Sequence, residues 1–145
     1  MKEKIIVSSC LLGYNTKYNG KNNYNEKIEL IKEKYNVYPV CPEVLGGLST
    51  PRDPSEIKDG KVLSSKGLDV TDNFNKGANL VLELVKKEGI KKAILKESSP
   101  SCGKSHIYDG TFSKSLISGQ GVTVSLLNQL DVEIFNENEI DLLLE

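Results

Sequence analysis

The stretch "KKAILKESSPSCG", residues 91–103, holds the reading that decides the fold. Two lysines lead into a short apolar run, Ala93–Leu95, which suits a buried strand. The chain then turns on Pro100 and Gly103 amid small hydroxyl side chains, with Cys102 in the turn. Two other strand-like runs end the same way. "KIIVSS" (Lys4–Ser9) is β-branched and apolar and ends at Cys10, and "VYPV" (Val37–Val40) ends at Cys41. Proline has no N–H for a ladder, so Pro39 suits an edge strand. "VEIF" (Val132–Phe135) supplies a fourth strand.

Helical segments alternate with these runs. "NEKIELIKEKY" (Asn25–Tyr35) sets Ile28, Leu30 and Ile31 on one stripe, with Asn25 as the expected N-cap. A longer helix is expected from Thr71 or Asp72 through Glu88, with Phe74, Ala78, Val81, Leu82 and Val85 on one face and Gly89 as its C-cap. "GVTVSLLNQL" starts a helix near Gly121, and "NENEIDLLLE" adds a short closing one. Asp59-Gly60 and Asp109-Gly110 mark two small hairpins, in "EIKDGKVLS" and "HIYDGTF". Alternation of strand and helix predicts an α/β fold: one three-layer domain over residues 1–145, with about four core strands in a mostly parallel sheet and hairpin insertions.

At 145 residues, 38% hydrophobic and 27% charged, the chain can bury one core. A net charge of −1 creates no whole-chain field for a nucleic-acid polymer or a membrane surface. The apolar run Ile5–Val7 is too short for a signal-peptide core and no stretch approaches a membrane span, so the expectation is a cytoplasmic protein. Three cysteines, an odd count, argue against a disulfide framework.

In a parallel sheet all strands point one way, so Cys10, Cys41 and Cys102 are expected at the same carboxyl edge, where open α/β sheets bind ligands. A single buried cysteine is usually a small core residue. Three of them, each just past a strand and none inside a helix, point to shared chemistry. Glycines follow each one, in "LLG", "PEVLGG" and "GKS", and permit tight turns with free amides. Three readings stand open on chemistry alone. Zinc needs a fourth ligand, and His106 is the one histidine. A cysteine nucleophile needs a base, again His106. An iron–sulfur cluster normally takes four cysteines, so three would leave one iron open as a Lewis acid. The first two would make a hydrolase, and a non-enzymatic metal- or nucleotide-binding module would use the same edge.

In order along the chain, "VSSCLLG", "PVCPEVLGGLSTPR", "EIKDG", "GLDVTDNFNKGA", "AILKESSPSCG", "IYDGTF" and "GQGVTVSLL" resemble the thiouracil desulfurase family. The resemblance implies a 4Fe–4S cluster on Cys10, Cys41 and Cys102 with one iron free of protein ligands. It also implies desulfuration of a thiolated nucleobase, a small-molecule partner, without net redox change. Glu43, after the second cysteine, and Ser101, before the third, match its catalytic candidates. Many relatives carry a cysteine and an aspartate where "YNTKYNG" has Thr16 and Asn19, so only three candidate ligands remain here. Ser9, Ser99 and Arg52 are candidates for substrate binding, although Ser99 also reads as a turn residue and Arg52 as a hairpin anchor. Lys96 and Glu97, at a strand end, read as an ion pair, and His106 as a structural residue.

Overall fold

Ile5, Ile6 and Val7 are completely buried, so their strand needs cover on both faces. The structure, a computed structural model, describes residues 2–145. Strand β1 (Glu3–Ser8) runs into a 3-10 turn, Ser9–Leu12. Then come α1 (Ile28–Lys34), β2 (Tyr35–Val40), α2 (Pro42–Leu45), β3 (Ser55–Lys58), β4 (Lys61–Ser64) and α3 (Thr71–Glu88). The rest is β5 (Lys92–Ile94), β6 (His106–Tyr108), β7 (Leu116–Ser118), α4 (Val122–Leu127), β8 (Glu133–Phe135) and α5 (Ile140–Leu144). The main sheet has the order β2-β1-β5-β8, parallel throughout. This is the α/β architecture read from the sequence. β2 is an edge strand, with Pro39 opposite Val7. The hairpins do not extend that sheet; β3–β4 and β6–β7 each form a separate antiparallel pair.

Period-two alternation sends neighbouring side chains into different cores. Ile5, Val7 and Ile94 meet Ile28 and Ile31 of α1 and Ile140 and Leu143 of α5. Ile6, Ala93 and Leu95 meet Val81 and Val85 of α3 and Val124 and Leu127 of α4. Each such residue stabilises the fold by about 1.5–3 kcal/mol. These two cores define three layers. Among the described residues no helix is long and apolar enough to cross a membrane.

Three local expectations change. Asn25 does not cap α1; its Oδ1 accepts the Lys27 N–H at 3.0 Å and closes a turn that delays the helix to Ile28. Leu30 is half exposed, so Ile28 and Ile31 alone form the buried stripe, and Tyr35 opens β2 instead of ending the helix. Asp109-Gly110 is not a two-residue turn but begins a longer loop between β6 and β7. That loop is shaped by Glu56, a buried carboxylate in β3 that accepts the N–H groups of Gly110 (3.0 Å) and Phe112 (3.1 Å).

The position of α2 depends on two glycines. A Cβ on Gly77 of α3 would overlap the Pro42 carbonyl, and one on Gly46 would overlap the Asn73 carbonyl. The helices therefore meet backbone to backbone, which fixes α2 and, with it, the neighbouring Cys41 and Glu43 that line the cavity described below. Gly77→Ala is expected to cost about 2–4 kcal/mol in denaturant unfolding, because backbone must move. An unchanged midpoint would show that the two helices separate easily.

Candidate active site

The core strands β1 and β5 are neighbours, but the chain leaves β1 for β2 on one side and returns to β5 on the other. The crevice at their carboxyl ends is therefore the switch point where such sheets bind ligands. Cys10 lies in the turn after β1, Cys41 between β2 and α2, and Cys102 in the loop after β5. All three line one cavity of about 440 Å³. Glu43, Arg52, Ser9, Ser99 and Ser101 line it too. His106 does not; it is exposed in β6.

Each sulfur has a specific neighbour. Asn23 Nδ2 donates to Cys10 Sγ at 3.4 Å, and its backbone N–H bonds the Cys10 carbonyl at 2.9 Å. Cys41 Sγ donates to the Thr16 carbonyl at 3.8 Å. Ser101 Oγ lies 3.5 Å from Cys102 Sγ, one of two acceptors within reach of its single proton, the other being Glu43 Oε2. Burial pushes the Cys102 thiol up to about 12; the Ser101 and Ser8 hydroxyls oppose the rise, and Cys10 and Cys41 add to it. Burial also raises Cys10, against the Asn23 bond and with help from Cys41. The thiols thus sit near enough to disfavour one another's ionisation. A reactive cysteine is favoured by the opposite shift.

Glu43 is held from two sides. Arg52 Nε donates to Oε1 at 3.1 Å and the Ser101 hydroxyl donates to Oε2 at 3.4 Å. The guanidinium also bonds the Ser49 carbonyl (3.2 Å), Thr50 Oγ1 (3.1 Å) and the Thr16 carbonyl (2.9 Å). Four of its five N–H donors are therefore engaged within the protein. Arg52 is built to orient Glu43. The Ser9 hydroxyl shares a 2.7 Å bond with Thr16 Oγ1. Ser99 Oγ accepts the N–H groups of Ser101 and Cys102, both at 3.1 Å, a local turn role.

The expected Lys96–Glu97 pair is corrected. Lys96 Nζ lies 2.9 Å from Glu137 Oε2, because the Glu97 carboxylate turns toward backbone amides instead. Burial pushes Glu97 up, but bonds from Ser105, Asn136, His106 and Ser98 outweigh it and hold the group down at about 2. Its folded value lies below its unfolded one, so the stabilisation is fully present above about pH 4.5 and is lost as pH falls toward 2. Wild type should lose on the order of 1–2 kcal/mol more than Glu97→Gln over that window, after discounting for solvent screening. Parallel acid-unfolding curves for the two proteins would disprove this.

Thr16, named from the sequence only as a departure from relatives, lines the cavity, and Asn23 and Ser8 escaped the sequence reading. Asn23 stands in the polar run after Leu12, where no periodicity marks a residue as inward-facing.

A family model described as 2-thiouracil desulfurase matches residues 5–139, nearly the whole chain. The chain belongs to the 2-thiouracil desulfurase family. The uncharacterized protein YbbK of Bacillus subtilis (strain 168) is 42% identical over 147 residues, covering 94% of this chain and 97% of that protein. A solved structure of a 4Fe–4S-dependent thiouracil desulfidase, TudS, superimposes with a TM-score of 0.92 at 42% identity, covering 98% of this chain and 95% of the other. The matched span contains every residue of the cavity described above.

Proposed function

We propose that this protein removes sulfur from a thiolated, uracil-like base, so that C=S and water give C=O and hydrogen sulfide with no net redox change. The observation that carries this reading is the meeting of three strand-end thiols with an oriented carboxylate in one cavity. Cys10, Cys41 and Cys102 would hold a 4Fe–4S cluster. Three unpaired thiols lining one cavity are the donor type that such a cluster takes, which supports this reading. Among the described residues no group of three or more His, Cys, Asp or Glu is arranged to hold a single metal ion. A single zinc would need thiolates roughly 3.8 Å apart, from Zn–S bonds of about 2.3 Å in a tetrahedron. A cluster with iron at each corner spreads its thiolates more widely, and it suits thiols that ionise only against strong positive charge.

When bound, an iron free of protein ligands supplies a Lewis acid for the thiocarbonyl sulfur. The chain supplies the rest. Glu43 takes a proton from the attacking water, and Arg52 and Ser101 hold its two oxygens in place. Ser101 is placed between that carboxylate and the Cys102 sulfur. Tyr18, Tyr108 and Phe112, which also line the cavity, give a planar base apolar faces to pack on. The occupant is a small molecule; the near-neutral chain offers no field for a nucleic-acid polymer. A reducing compartment, the cytoplasm, suits three cysteines that remain unpaired.

The test is anaerobic reconstitution with iron and sulfide, followed by absorption spectra and sulfide release from thiouracil. Iron uptake and release are both expected, and His106→Ala should match wild type in both. Iron uptake with no release would leave a binding module. Loss of metal in His106→Ala would restore the zinc reading.

A further inference from the structure

We propose that Glu97 is a positioning residue: its carboxylate gathers the amides of the Cys102 loop and thereby fixes both Cys102 and Ser101. Its link to desulfuration rests on the reading of Cys102 as a cluster ligand; the geometry of the loop does not.

Glu97 Oε1 accepts four backbone N–H groups: Ser98 at 3.2 Å, Lys104 at 2.9 Å, Ser105 at 3.0 Å and His106 at 3.1 Å. Oε2 accepts Asn136 Nδ2 at 2.8 Å, which ties the arrangement to the end of β8. One carboxylate thus closes a ring of backbone from Ser98 to His106, and Cys102 lies inside that ring. Ser98, at φ 67°, adopts a left-handed conformation that costs a non-glycine residue energy and persists only where its surroundings enforce it. Its N–H on Glu97 is one such constraint.

The carbonyls of the same loop are held from the opposite side. Val122 N–H bonds the Pro100 carbonyl at 2.8 Å, Thr123 N–H the Ser101 carbonyl at 2.9 Å, and Gly121 N–H the Gly103 carbonyl at 2.8 Å. A Cβ on Gly121 would meet the Ser101 carbonyl at 2.5 Å, so α4 lies directly on this backbone. Amides bound to Glu97 and carbonyls bound to the start of α4 leave the loop little freedom. α4 has core packing of its own through Val124 and Leu127. On the amide side Ser99 holds Ser101, Cys102 and Gly103 within the loop, and Glu97 alone joins the two ends, Ser98 and Lys104–His106. Removing that side chain leaves five donors without their acceptor; exposed Ser105 and His106 can turn to water, while part-buried Ser98, Lys104 and Asn136 reach it only as the loop loosens. Cys10 and Cys41 sit on other segments and should not respond.

The full-length wild type, Glu97→Ala and Glu97→Gln are treated, before any iron is added, with limiting N-ethylmaleimide, and labelling is read at each cysteine by peptide mass spectrometry. Amide exchange at residues 104–106 is measured in parallel. In Glu97→Ala, Cys102 labelling and local exchange should rise roughly ten-fold or more, with Cys10 and Cys41 within about two-fold of wild type. Glu97→Gln keeps an acceptor without the charge and should recover most of the protection. Iron uptake on reconstitution should fall in the order wild type, Gln, Ala.

Unchanged Cys102 labelling in Glu97→Ala would overturn the proposal. A rise of equal size at all three cysteines would too, since it marks general loosening. If Glu97→Ala does not fold, Glu97→Gln decides by the same criterion, a small rise confined to Cys102 and its loop supporting the role. These readings need no iron. A wild type that takes up no cluster therefore counts against the proposed function alone.

Discussion

Changing any one of Cys10, Cys41 or Cys102 to serine is expected to abolish cluster uptake while the fold persists. Serine keeps the shape but replaces a soft thiolate donor with a hydroxyl that stays protonated, and iron–sulfur clusters are held by thiolates. The chain has three cysteines and none is spare. The effects on stability should differ. Cys102 belongs to the core formed by Ile6, Val40, Leu95 and Val124, so a hydroxyl there costs about 1–2 kcal/mol. Cys10 and Cys41 are half-buried at the cavity and should change unfolding little. Iron per chain after anaerobic reconstitution, with a denaturant curve for each variant, checks both statements. A single serine variant that retained wild-type iron would remove that cysteine from the ligand set.

The sequence reading succeeded where one local signal dominated. β-branched runs marked β1 and the edge strand β2, Gly89 ended α3 in a left-handed turn, and Asp59-Gly60 closed β3 on β4. The common edge of the three cysteines followed from parallel topology alone. Long-range hydrogen bonds were not legible. Glu97 looked like a partner for its neighbour Lys96, yet its ligands are amides up to nine residues away and an amide from β8's end. Arg52 read equally as an anion binder or a hairpin anchor, and four of its donors engage Glu43 and three loop groups, partners that the sequence did not name. Side-chain-to-backbone bonds of this kind leave no periodicity in a sequence. Family resemblance supplied Glu43 and Ser101, and no pattern in the residues would have singled them out.

Glu43→Gln is expected to leave the cluster spectrum intact and to lower turnover about 10²–10⁴-fold, the usual contribution of a positioned acid or base. The substitution is nearly isosteric and the site can absorb it. The Gln carbonyl can still accept from Arg52 Nε, now at 3.1 Å from Oε1. The new amide can donate to the Ser101 hydroxyl, which at present donates to Oε2 at 3.4 Å. Position and packing thus persist, and what is lost is the capacity to take a proton together with the charge that pairs with buried Arg52, a loss that a denaturant curve reads separately from turnover. Replacing C=S by C=O requires water to lose its protons as it attacks carbon, so that capacity falls on the rate and not on binding. The expected signature is a fall in kcat with KM little changed. Ser101→Ala removes an orienting bond and should cost less, about ten-fold, because Arg52 still holds the other carboxylate oxygen. Arg52→Gln should fall between the two, since the carboxylate then loses its ionic partner and swings away from the attacking water. The assay is anaerobic sulfide release from thiouracil by reconstituted proteins matched for iron. Wild-type turnover with glutamine at position 43 would exclude Glu43 as the proton acceptor and leave the three thiols, without a protein base, as the whole of the site.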